Sequence, residues 1–420
     1  MKIIKLEWDE MDTYEFEQLC QKIEEGTIDD RTLEVRSAEA KYPENLYETF
    51  SSFSNQDDGG IILFGFDERE HDKKTGVYDA EDLKKRLLAT GEGMTPSVRP
   101  ILTVFQIDGK SFVTAEIIPL DIAERPCFKT VKGRLKGAFI REKGKDRPIC
   151  AYEIYSYDAY REKVREDIRT LDEISYDLLD ANATEGYFLL RKKNYPKFSV
   201  MPKDELLELT GITRNHKVTL AAALLFSKYP QAYFPQLSIL ASVVSGTEIG
   251  ALSEEGQRFS DKKRIEGTLP EMLEEAIRFV KNNMGTAVKR NPHTGMREDR
   301  PEYPLEAVRE AILNALVQRD YSIHTEHMPI QLLLFSERLE VRNPGGLYGR
   351  TGVDQLGHMQ ADTRNPMLVT MMEALGKTEN RRSGIPRIRQ AMKKYHLPEP
   401  EFHDLRHEFV VCLYKDSGTN

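Results

Sequence analysis

The chain has little cysteine: four in 420 residues, Cys20, Cys127, Cys150 and Cys412, scattered without paired spacing. No zinc ribbon, redox pair or disulfide framework can be assembled from them, so reduced, structural thiols are expected. Long apolar runs are also missing. The longest, 220–226 and 237–244, fall far short of the roughly 20 residues that span a bilayer. The opening MKIIKLEWDE turns acidic after six residues and has no apolar secretory core. A soluble, cytoplasmic protein with no membrane partner is the expectation. Tryptophan is down to one residue, and neither an internal repeat nor a low-complexity segment is visible. An excess of positive charge is lacking too: 60 Lys and Arg against 69 Asp and Glu leave a net −9. That excludes a uniformly basic nucleic-acid binder, although an average conceals patches.

What is present is an ordinary globular composition, 40% hydrophobic and 31% charged. At 420 residues it calls for two or three domains, since single domains usually run about 100–200 residues. One patch stands out. Between Arg125 and Arg147 lie nine basic residues, including Arg134, Lys136, Arg141, Lys143, Lys145 and Arg147, against two acids. Its plainer reading is a solvated loop and strand edge.

Alternating patterns in the first third predict an α+β domain over 1–160. The spacing gives a helix at 14–24, a strand at 32–36, a helix from Pro43 to about Ser54, and a buried strand at 61–66. Strands at 101–107 and 111–118 are joined by Asp108-Gly109, a strong hairpin signal. Residues 161–295 read as a helical and mixed connector. Within it, Pro202–Gly211 followed by 218–226 has helix-turn-helix spacing, but the second helix is Ala/Leu-rich and uncharged, which favours core packing over groove reading. The last domain, 296–420, starts with a helix at 304–319. It continues with a hairpin at 330–335 and 339–342, the glycine turn Asn343-Pro-Gly-Gly-Leu347, a helix at 386–395 and a closing strand at 409–414.

Glu310 and Asn314, four apart on that helix, project from one face. A carboxylate and a carboxamide so placed can hold a magnesium ion and a water beside nucleotide phosphates. The order that follows, a hairpin, the Asn343–Gly346 turn and then Arg382-Ser-Gly-Ile385, resembles the gyrase–histidine kinase–MutL ATPase superfamily. More closely, Tyr303-Pro…Arg309-Glu-Ala…Asn314-Ala…Gln318-Arg-Asp-Tyr-Ser322, then Asn343-Pro-Gly-Gly-Leu347 and Arg364-Asn-Pro366, resembles a divergent subgroup related to the RecG helicase carboxyl terminus.

The resemblance implies a Bergerat-type α/β sandwich binding ATP with Mg2+. In it Glu310 would orient the attacking water and Asn314 would ligate magnesium. Asn343, Gly345 and Gly346 would face the nucleotide, with Ser383 and Gly384 near the phosphates. Gln318 departs from the subgroup's usual His, Asn343 stands where true ATPases place Asp, and one glycine replaces several before Ile385. These departures remove donors that cradle phosphate and imply a degenerate site.

In the first third, Leu33-Glu-Val-Arg36, Phe50-Ser-Ser-Phe-Ser-Asn55 and Gly59-Gly-Ile-Ile-Leu-Phe-Gly-Phe-Asp67, with Gly137-Ala-Phe-Ile-Arg141 and Arg147-Pro148, resemble the Schlafen AlbA-like domain. That implies DNA or RNA binding, with Arg36, Arg134, Lys136, Arg141, Lys143, Lys145 and Arg147 as phosphate contacts. The same resemblance admits a second activity. Schlafen nucleases use three carboxylates, matched here by Asp29, Glu34 and Asp67, which would hold Mn2+ or Mg2+ for phosphodiester hydrolysis, a chemistry suited to phage defence. The expected protein is thus an α+β, multidomain, nucleic-acid-binding transcriptional regulator with a degenerate ATP domain, dimeric by the habit of its relatives. A metal-dependent nuclease and an inactive scaffold are the alternatives.

Overall fold

In the computed structural model the described residues are 10–27, 29–67, 73–251, 258–290, 297–358, 362–377 and 384–416. They fall into two units, 1–164 and 165–420.

The first unit is built on a four-stranded sheet ordered Leu33–Arg36, Gly60–Phe64, Lys110–Ile117, Ile101–Ile107. The first pair is parallel and the others antiparallel. A parallel pair needs a crossover, which the helix Leu46–Ser54 supplies. Alternation along the second strand sends Ile62 and Phe64 into one core and Leu63 into the other. The helices Leu46–Ser54 and Ala80–Glu92 fill the first core, and Thr13–Glu24 closes the second by stacking Phe16 on Phe105 at 3.9 Å. Asp108 and Gly109 both take positive φ, +51° and +76°, as a two-residue hairpin requires. The second helix begins at Leu46 and not at Pro43, because Asn45 at φ +60° breaks the path between them.

The second unit carries a six-stranded sheet ordered Phe259–Ile265, Ile239–Val244, Ile330–Leu334, Arg338–Pro344, Glu408–Tyr414, Glu401–Asp404. Ile239–Val244 runs parallel to Ile330–Leu334 and the remaining pairs are antiparallel. Helices Leu269–Asn283, Leu305–Gln318 and Gly384–Lys394 share one core with Ile239, Leu332, Leu339, Val341 and Leu413. This is the α+β arrangement anticipated above. Residues 161–295, read from sequence as a connector, give two strands to this sheet and one helix to its cover, so they fold together with 296–420. The helix Leu220–Phe226 is buried at all seven positions, which removes it as a groove reader. No described helix is long and apolar enough to cross a membrane.

Candidate functional site

In the first unit the basic segment folds as a tip, Thr130–Lys132 and Gly133–Gly137, and a hairpin, Phe139–Glu142 with Lys145–Pro148. Its arginines turn toward carboxylates. Arg125 pairs with Asp57 at 2.8 Å, Arg134 with Asp158 at 2.6 Å, and Arg147 with Glu153 at 2.7 Å and with Glu142. Arg36 pairs with Glu34 at 2.8 Å.

Arg141 goes furthest. Its side chain is 3% exposed and bridges Glu34 and Asp146, the latter at 2.9 Å, while its Nε donates to the Asp30 carbonyl. Asp146 in turn accepts from Thr49 and Ser52 at 2.7 and 2.6 Å. Burial works against the guanidinium charge, but the two carboxylates outweigh it and hold the group above its ordinary range. Arg141, expected to touch phosphate, is therefore an internal anchor, because a partnered cation with no exposed face has nothing to offer an outside anion.

Lys136, Lys143 and Lys145 are exposed and make no ion pair among the described residues. Lys143 and Gly144 form the hairpin turn at φ +49° and +74°. Lys129 and Lys132, which the sequence reading counted but did not single out, lie over the Tyr47 ring at 4.3 and 4.4 Å. The unpaired charge of this segment thus belongs to its lysines.

The three carboxylates expected to bind metal are not gathered. Asp29 pairs with Arg31 at 3.1 Å, and Glu34 is held between Arg36 and Arg141. Asp67 follows the second strand, with its N–H on the Lys73 carbonyl. Among the described residues no group of three or more His, Cys, Asp or Glu is placed to hold a metal ion.

In the second unit, Glu310, Asn314 and Gln318 form a half-buried polar stripe, four residues apart, along the largely buried helix Leu305–Gln318. Each meets a residue from 364–394. Glu310 pairs with Arg387 at 3.4 Å, and Gln318 accepts the Arg364 N–H at 3.2 Å. Asn314 packs so closely on Gly384 that a Cβ there would lie 2.8 Å from its Nδ2. Ser383 lies outside the described residues.

Asn343 shares the helix-facing side of its strand with Leu339 and Val341, as alternation demands. Its Oδ1 is buried and accepts no hydrogen bond.

The motif pieces quoted from the sequence meet at the end of this helix. Asp320 N–H donates to Pro344 O at 3.1 Å, Arg364 donates to Gly346 O at 2.9 Å, and Asn365 donates to Val317 O and Arg319 O at 3.0 and 2.8 Å. Arg319 is buried, pushed down to about 10 by desolvation, and donates to the carbonyls of Thr325 and Met328.

Gly345 and Gly346 sit where the protein itself leaves no room for a side chain. The space beyond Cα is filled at both, by Asp320 and Arg364 at Gly345, and by the Arg406 backbone and Asp404 at Gly346. These glycines are explained by protein packing. Arg364, Asn365 and Arg387 are the residues that sequence reasoning did not weigh as individuals; Arg-Asn-Pro was quoted as a motif, but nothing in it announced which helix it ties.

Comparisons with known proteins agree with this division. Residues 29–150 match the family described as Schlafen, AlbA_2. Residues 327–413 match the family described as "Putative ATP-dependent DNA helicase recG C-terminal". Each match falls within one of the two units and covers less than a third of the chain. The second match begins after the helix bearing Glu310 and Asn314, so it does not itself assign them a role. No curated protein matches the chain. Among solved structures, the DIP2311 protein of Corynebacterium diphtheriae is 19% identical with a TM-score of 0.44, covering 95% of this chain and 80% of its own. The amino-terminal domain of a RecG-related protein from Nitrosomonas europaea is 22% identical with a TM-score of 0.26, covering 32% of this chain and 92% of its own. The two matched families associate the chain with nucleic acid and with ATP.

Proposed function

We propose that this protein is an ATP-responsive nucleic-acid-binding regulator: its AlbA_2 unit holds phosphate backbones and its RecG-related unit binds Mg-ATP. The observation that carries the reading is the division of labour in the basic segment. Arginines there are neutralised by carboxylates, whereas Lys136, Lys143 and Lys145 stand exposed and unpaired within the AlbA_2 match. Lysines so placed neutralise phosphates and release counterions without reading bases.

The second unit fits a nucleotide at two points. Asn343 presents a buried acceptor without a donor, which an exocyclic amino group would satisfy. Half-buried Asn314, beside Gly384, offers a carboxamide oxygen where magnesium and phosphate would lie. Bound Mg-ATP supplies a triphosphate whose charge is balanced by the metal; Asn314 and Arg387 would orient it. Dimerisation belongs to the same proposal, by analogy with the ATPase superfamily.

The test is thermal unfolding with and without Mg-ATP, paired with salt titrations of oligonucleotide binding. Saturating ligand at about 100 Kd should stabilise by roughly 2.7 kcal/mol, and Asn314→Ala should remove that gain. Lys143→Glu with Lys145→Glu should lower the salt slope by about one to two units. A melt unmoved by ATP sinks the nucleotide half, and an unchanged slope sinks the nucleic-acid half.

A further inference from the structure

The second unit carries a second basic surface that neither matched family covers. Between Leu189 and Lys203 are five cations, Arg191, Lys192, Lys193, Lys197 and Lys203, and no acid; the flanking acids are Glu185 and Asp204. The segment runs from the last turns of the helix Ala181–Asn194 through the 3-10 turn Pro196–Val200. Among the described residues none of the five makes an ion pair, although elsewhere in this unit Arg264, Arg309, Arg338 and Arg342 do. Arg191 instead lies over two rings, 5.0 Å from the centroid of Tyr195 and 5.6 Å from that of Phe198.

Helix-end electrostatics account for part of this. Cations in the last turn complement the helix dipole, which explains Arg191, Lys192 and Lys193. It does not explain Lys197 and Lys203, which lie beyond the helix, or the apolar groups left in water. Leu189 is 61% exposed, Tyr195 53% and Val200 88%. Isolated exposed apolar residues are normal, but several on one short segment mark an interaction surface. Phe198 packs against the unit's core and so anchors the segment, while Tyr195 stands 5.6 Å from it, tilted and outward. An aromatic pair anchored through Phe198, an arginine over both rings and exposed lysines without ion pairs in the same segment, Lys193 and Lys197, match what single strands need. Bases stack on rings and guanidinium planes, and ammonium groups track the backbone.

We infer that residues 189–203 form a single-stranded nucleic-acid contact, separate from the lysine hairpin of the first unit. It does not rest on the reading of that unit. A duplex would leave the rings idle, since its bases are already stacked. An unpaired strand uses both rings and lysines.

The experiment is fluorescence anisotropy of labelled single-stranded DNA and RNA oligonucleotides with the full chain, in wild type and in a Lys143→Glu/Lys145→Glu background. Lys193→Glu with Lys197→Glu should weaken binding about tenfold and lower the salt slope by roughly one to two units. Tyr195→Ala should weaken it by about five- to tenfold with the slope unchanged, since stacking carries no counterions. Both variants change exposed side chains, and matching melts would show that they fold. Binding that survives both variants overturns the inference. So does a loss confined to phosphatidylserine vesicles, which would make this a membrane-facing patch, or a loss of dimer by light scattering with oligonucleotide affinity intact. A null result for Lys143→Glu/Lys145→Glu alone counts against the first-unit reading only.

Discussion

Arg141 and Lys143, two positions apart on one hairpin, show how residue type and burial divide a basic segment between folding and binding. A planar guanidinium can satisfy two carboxylates at once, and Arg141 does so with Glu34 and Asp146 while 3% exposed. Arg141→Ala would leave buried Asp146 without its cation and Glu34 with Arg36 alone, so a loss of about 3–5 kcal/mol is expected by denaturant unfolding. Weakened nucleic-acid binding in that variant would report misfolding. Lys143→Ala should leave stability within about 0.5 kcal/mol.

Glu153 adds a pH dependence. Burial would raise its carboxyl, but hydrogen bonds from Arg147 and the Cys150 N–H outweigh that and hold it below the usual carboxylate range. A carboxyl depressed in the folded state contributes stability above its unfolded value and loses it as pH falls through the folded one. Glu153→Gln should therefore cost about 1–2 kcal/mol at neutral pH, Arg147 being a third exposed and partly screened. The gap to wild type should close on acidification below pH 4, and melts across pH 3–7 would show it.

At the scale of elements, the turn Asn343–Leu347 is a junction where backbone has to approach backbone. Gly345 sits at φ +94° with its missing Cβ only 2.6 Å from that of Asp320. Gly376 has a similar φ, +69°, and nothing within 4 Å. Gly376→Ala should cost about 1 kcal/mol from backbone strain alone, and Gly345→Ala about 1–3 kcal/mol more from crowding. Comparable losses in the two variants would mean that the junction yields more readily than its packing indicates.

Elements that bury a regular face were legible: the helix Thr13–Glu24 and the strand Ile101–Ile107 fall within a residue of where periodicity put them. The strands Phe259–Ile265 and Glu401–Asp404 were not. Both are sheet edges with mostly exposed, charged residues, which guard against edge pairing and erase the alternation that announces a strand. Motif order pointed to the helix Leu305–Gln318, yet it could not separate residues left half-buried along the helix, such as Asn314, from those that tie the junction, such as Arg364 and Asn365. That distinction depends on which chain segment packs on which face, a long-range property.

Across the whole molecule, the four cysteines make a built-in gauge of opening in each unit. Cys20, Cys127 and Cys412 are buried and Cys150 is exposed. Desolvation pushes the thiols of Cys20 to about 11 and of Cys127 and Cys412 to about 12, which suppresses the reactive thiolate at neutral pH. Burial also blocks the reagent, so the two effects act together. In native buffer an aromatic disulfide reagent should modify one thiol per chain quickly, and Cys150→Ser should abolish that phase. The slower phases then acquire addresses, since Cys20 and Cys127 belong to 1–164 and Cys412 to 165–420. A ligand held by the second unit should slow modification of Cys412, because reaction there needs an opening that bound ligand opposes. Mg-ATP should therefore retard the Cys412 phase in the Cys150→Ser variant, and Asn314→Ala should cancel the retardation. A Cys412 phase indifferent to Mg-ATP would mean that the nucleotide does not reach the sheet on which Asn343 and Cys412 lie.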